Sequence, residues 1–112
     1  MNTGLSVATL DKICSVFARF PQLEKVVLYG SRAKGTFKSG SDIDLTLYGP
    51  ALSPDTLARI DTELDDLLLP YTMDLSLFDT LDHVELREHI DRVGVVLYQS
   101  GEGLQRSSPI KN

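Results

Sequence analysis

The sequence lacks three things: an apolar run near the ~20 residues that a membrane span takes, a surplus of positive charge, and a second cysteine. Each absence excludes a class of protein. The N-terminal stretch MNTGLSVATLDKIC brings an acid into its first turns and has no secretory-leader pattern, so neither a membrane span nor export is expected and a cytoplasmic location is the default. Cys14 alone closes no internal disulfide and lies in an apolar helical stripe, which reads as a small buried hydrophobe. A net charge of -5 is the wrong sign for a protein that neutralises a phosphate backbone, and Phe37, Tyr48 and the nearby lysines make no stacking platform, so direct nucleic-acid binding is not expected. There are no internal repeats. A chain of 112 residues has room for one domain with its own core and no room for a separate substrate domain.

What is present is concentrated between Gly30 and Asp44, in the stretch GSRAKGTFKSGSDID. The apolar, β-branched run Val26-Val27-Leu28-Tyr29 leads into Gly30-Ser31, and Asp42 and Asp44 open a second apolar run. Residues i and i+2 of a strand point to one side about 6.5 Å apart, so Asp42 and Asp44 share a face. Ile43, Leu45 and Leu47 take the other face and fix the register, because a one-residue slip would turn both carboxylates into the core. Two carboxylates this close repel unless a cation lies between them, and hard oxygen donors suit Mg²⁺ or Mn²⁺ held jointly with substrate phosphates. Gly30 lets backbone approach a ligand, and Ser31 at the start of a helical turn offers a hydroxyl and free N–H groups to an anion. Arg32, Lys34 and Lys38 add positive charge nearby; Arg32 is the residue expected to neutralise phosphate charge, with a surface ion pair as its alternative. Metal ligands on one side and phosphate donors on the other fit a nucleoside triphosphate.

Two other motifs fail on inspection. Gly30 and Gly35 have the glycine spacing of a P-loop, but Thr36 and Phe37 stand where that loop needs Lys and Ser or Thr. Counted from Asp42, a calcium loop would need an oxygen ligand, a glycine and an acid where Thr46, Leu47 and Ser53 stand.

Around this stretch the pattern alternates helix and strand. Leu10, Ile13, Cys14 and Phe17 predict a helix over residues 5–20 ended by Pro21, and strands are expected over 24–29 and 42–48. Ser53-Pro54-Asp55 starts a second long helix whose apolar face is Leu57, Ile60, Leu64, Leu67 and Leu68 and which Pro70 closes, with Asp61, Glu63, Asp65 and Asp66 on its wet side. A third strand over 73–78 carries Asp74, Ser76 and Phe78 on one face; a helix capped by Asp79 or Thr80 then runs to Val93, and Val95 to Tyr98 is a last short strand. His83 and His89 are six apart, not the spacing of a helical metal pair, and read as structural or exposed. The expected fold is α/β or α+β: a mixed sheet with helices packed on one face and the acids on the other, in a domain over residues 1–98 followed by a flexible tail over 99–112.

Gly30-Ser31, ten intervening residues, then Asp42-Ile43-Asp44 resembles the signature of the nucleotidyltransferase superfamily of DNA polymerase β type. GSRAKG and SDIDL are similar to the motifs of its smallest members, the minimal nucleotidyltransferases, and the resemblance runs over most of residues 5–98. It implies a single polymerase β-like domain, a third acid on a later strand, for which Asp74 is the candidate, and a metal held by Asp42, Asp44 and Asp74 with phosphates on Gly30, Ser31 and Arg32. It also implies transfer of AMP from ATP to a hydroxyl. Similar minimal nucleotidyltransferases act as antitoxins that add AMP to a tyrosine of a HEPN-domain toxin, which makes such a toxin the expected partner. Transfer to a small molecule such as an aminoglycoside, and a non-catalytic antitoxin that only binds, are the alternatives. Monomer, homodimer and hetero-complex are all left open.

Overall fold

The computed structural model describes residues 3–38 and 40–100. Helix α1 (Val7–Phe17) is started by Ser6, whose hydroxyl accepts the Thr9 N–H at 3.1 Å, and it buries Ile13, Val16 and Phe17. Strand β1 (Lys25–Tyr29) follows, then the single-turn helix α2 (Ser31–Lys34) and strand β2 (Ile43–Tyr48). Helix α3 (Pro54–Asp65) has Ser53 as its cap and Pro54 in its first turn, where the missing N–H costs nothing. Strand β3 (Met73–Leu77), a 3-10 turn at Phe78–Thr80, helix α4 (Val84–Val93) and strand β4 (Val95–Gln99) complete the order.

The four strands form one mixed sheet in the order β3-β2-β1-β4. β1 runs antiparallel to both β2 and β4, whereas β2 and β3 are parallel and joined through α3. Alternation divides the sheet into two faces. Val26 and Leu28, with Ile43, Leu45 and Leu47 and with Leu77, pack against Ile13, Val16 and Phe17 of α1 and Ile60 and Leu64 of α3 in one buried cluster.

The expectation of helices on a single face holds for α1 and α3. α4 departs from it and lies on the opposite face, the one that carries the acids. Val27 points there between the core residues Val26 and Leu28, and a side chain added at Gly94, just past α4, would come within 2.5 Å of Val27 Cγ1. Tyr29, two residues on, meets His89 of α4 edge to face with ring centroids 6.4 Å apart. Ile90, fully enclosed, is the apolar foot of this second, smaller layer.

Several boundaries also differ from the pattern: α1 spans Val7–Phe17 rather than 5–20, and β3 ends at Leu77, which leaves Phe78 outside the strand expected to carry it beside Asp74 and Ser76. α4 starts at Val84 rather than after Asp79 or Thr80, because Phe78–Thr80 closes as a separate 3-10 turn and His83 supplies the cap, its Nδ1 accepting the Leu86 N–H at 3.3 Å. α3 stops well before Pro70: Leu68, expected on its buried face, takes φ 57° and stands 87% exposed. Of the expected tail, Gln99 belongs to β4 and the Ser100 N–H donates to the Glu24 carbonyl at 2.9 Å, while residues 101–112 lie outside the described residues.

Candidate active site

Cross-strand register builds the site. Tyr29 of β1 pairs with Asp44 of β2, and Asp44 pairs with Asp74 of β3, so the three side chains stand in a row across one face of the sheet. Asp44 is half-buried in the middle, Asp74 is exposed on the outermost strand, and Asp42 is exposed one residue ahead of β2. The acids sense one another: burial first, then the charges of Asp74 and Asp42, push the Asp44 carboxyl above its ordinary range.

Gly30 stands against the same carboxylate. It leaves β1 with φ 78° and ψ -155°, a backbone shape that side chains disfavour, and a β-carbon placed on it would lie 2.5 Å from Asp44 Oδ2. Ser31 then opens α2, which ends at Gly35 in the left-handed conformation, with the Thr36 N–H returning to the Ser31 carbonyl at 3.0 Å. Gly30, Ser31, Asp42, Asp44 and Asp74 are therefore brought to one end of the sheet. Lys34 at the end of α2 and Lys38 on the loop beyond are exposed.

Arg32 is not placed with them as a phosphate ligand. It is 2% exposed, and its guanidinium donates to backbone: Nε and Nη2 to the Ser41 carbonyl at 3.1 and 3.0 Å, and Nη1 to the Thr3 carbonyl at 2.9 Å. The expected phosphate contact is corrected on this ground, as is its alternative, a surface ion pair. A charged residue beside an anion motif reads as a ligand from sequence, and nothing local announces that carbonyls from residues 3 and 41 will enclose it.

The donor set suits a divalent cation. Among the described residues no three His, Cys, Asp or Glu side chains close into a ready cage. Asp44 nevertheless carries the repulsion of two neighbouring carboxylates, which a cation would relieve, and Mg²⁺ is ordinarily held by one or two carboxylates with substrate phosphates and water.

Tyr29 is the site residue that sequence reasoning missed. Burial raises its phenol pKa, and Asp44 and Asp74 raise it further, with a hydrogen bond to Ser76 opposing them. In sequence it is only the last residue of an apolar strand; strand pairing makes it the end of the acid row. His83 serves as a helix cap and His89 packs on Tyr29, consistent with the structural roles expected of both.

Carboxylates on adjacent strands beside a glycine-serine turn make a layout suited to phosphoryl-group transfer. Residues 11–103 match the family described as "Polymerase beta, Nucleotidyltransferase", and the chain belongs to that family. No curated protein matches the sequence. Solved structures share the fold: a toxin-antitoxin with AMP-PNP (22% identity, TM-score 0.67, covering 84% of this chain and 76% of that one) is one. A second is the tri-AMPylated Shewanella oneidensis HEPN toxin in complex with MNT antitoxin (19%, 0.60, 84% and 72%). A third is the toxin-antitoxin MntA-HpeT mutant D39ED41E (18%, 0.64, 84% and 75%). Among the described residues, no helix is long and apolar enough to cross a membrane.

Proposed function

We propose that this chain transfers AMP from ATP to a hydroxyl of a protein partner, a tyrosine of a HEPN-domain toxin, and so serves as that toxin's antitoxin. The observation that carries the reading is the closeness of Gly30 to the Asp44 carboxylate, with Asp74 next to Asp44 in register. This joins an anion-friendly turn to an acid row.

In this reading Gly30 and the turn opened by Ser31 hold the triphosphate, with N–H groups and the Ser31 hydroxyl as donors. Asp42 and Asp44, with Asp74 beside them, would hold Mg²⁺ or Mn²⁺. When bound, the metal supplies charge neutralisation at the reacting phosphate and a template for the leaving group. The acceptor oxygen bonds to the α-phosphorus, the bond to the bridging oxygen breaks, and pyrophosphate leaves. Asp74, exposed on the outermost strand, orients the incoming hydroxyl and receives its proton. α4 and Tyr29 wall the other end of the row, so the acceptor approaches from the β3 side.

Two of the similar structures support the choice of donor and acceptor: one holds AMP-PNP, and in another the HEPN toxin is tri-AMPylated. The test mixes the chain with ATP, Mg²⁺ and the product of the neighbouring gene and weighs the acceptor by mass spectrometry. Gain of AMP on a tyrosine is expected. An unchanged acceptor mass alongside full neutralisation of the toxin would replace transfer with simple masking.

A further inference from the structure

The guanidinium of Arg32 reaches three separate segments, and two of them lead directly into the acid strands. Ser41, whose carbonyl takes two of its donors, immediately precedes Asp42. The Tyr71 ring lies 4.9 Å from the guanidinium carbon, three residues ahead of Asp74, and the adjoining Thr72 carbonyl accepts the Ile43 N–H at 2.9 Å. Thr3 holds the third segment, the strand of chain ahead of α1, and the Phe37 ring lies 5.0 Å from the same carbon. Among the described residues no carboxylate pairs with Arg32. Among the described residues its charge is met by carbonyls and ring faces.

We propose that Arg32 is a positioning residue that sets the aim of Asp42 and Asp44 by clamping the Ser41 carbonyl, with the N-terminal segment as the back plate of the clamp. The planar fork suits the task, since it offers donors in fixed directions to two carbonyls at once. A lysine in its place would offer one compact charge and could not span both. Gly4 completes the arrangement: at φ 76°, a β-carbon there would press on the Phe37 ring and lie 2.8 Å from Arg32 Nη1. The effect on catalysis rests on the transfer reading above; the effect on cation binding and on the loop does not.

The test compares the parent with Arg32→Lys and Gly4→Ala. Three measurements are made: Mn²⁺ affinity by electron paramagnetic resonance in the presence of ATP, amide exchange over residues 41–44, and steady-state kinetics giving kcat and KM for ATP. Residues that orient metal ligands typically carry 10- to 100-fold effects. Arg32→Lys is therefore expected to weaken Mn²⁺ binding and lower kcat by about tenfold or more, with KM for ATP moving less than about threefold. Exchange over 41–44 quickens, and Gly4→Ala shifts all three measurements in the same direction by less. A large rise in KM at unchanged kcat and unchanged Mn²⁺ affinity would instead make Arg32 a phosphate ligand and overturn the proposal, as would no change in any of the three. If Arg32→Lys does not fold, Gly4→Ala and Phe37→Leu decide by the same criteria. Absence of AMP transfer by the parent sinks the transfer reading alone, because Mn²⁺ affinity and amide exchange still report on Arg32.

Discussion

The two faces of this sheet do opposite work with the same four strands. One face is apolar from Val26 to Leu77 and is closed by α1 and α3; every side chain there gains by leaving water. The other is covered by α4 at Val27, leaves Val96 exposed on the edge strand, and beyond Tyr29 turns into the row of Asp44 and Asp74. There the folded state holds like charges together and gives up stability for chemistry. The comparison separates what a substitution does to folding from what it does to function.

The largest effect is expected at the acid row. Asp44→Asn should lower AMP transfer by about 10³-fold, the scale of losing a group that stabilises developing charge, while far-ultraviolet circular dichroism stays unchanged. On the apolar face the outcome is reversed: Ile60→Ala removes a fully buried side chain and should cost about 2–5 kcal/mol in urea unfolding, with kcat per folded molecule intact. If the two variants behaved alike, the division between the faces would be lost.

A subtler effect concerns stability on the acid face itself. The folded protein raises the Asp44 pKa, so the native state binds that proton more tightly than the unfolded chain does. Without metal, stability therefore falls as pH rises from the ordinary value of 3.8 through the raised one. Asp44→Asn should then melt higher than the metal-free parent at pH 7, and the gap should close below pH 3.8. A lower melting temperature for the variant at pH 7 would contradict the repulsion argument. The smallest effect is at the start of α4: His83→Ala removes a long cap bond and should cost at most about 1 kcal/mol by thermal unfolding.

Much of this arrangement was legible because it is local. Ser53 marks a helix start that the structure keeps, and the alternation Asp42-Ile43-Asp44-Leu45 assigns faces before any strand has a partner. What escaped is nonlocal. The apolar spacing of Leu86, Ile90 and Val93 says that α4 has a buried side but not which face of the sheet it meets. Arg32 reads as a phosphate ligand until carbonyls 29 and 9 residues away along the chain are found around it. Tyr29 enters the acid row only through register with β2. Leu68 fits the helical period of α3, yet backbone geometry ends the helix at Asp65.

The parallel pairing of β2 with β3 places Asp44 and Asp74 side by side through the hydrogen bonds between the strands, independently of the path taken by the chain between them. Residues 49–52 and 66–70, on either side of α3, can therefore be lengthened or recast without separating the two carboxylates. Variation among acceptors has room to accumulate in the connection that leads into β3, on the side of Asp74, while the alignment that the chemistry depends on stays in place.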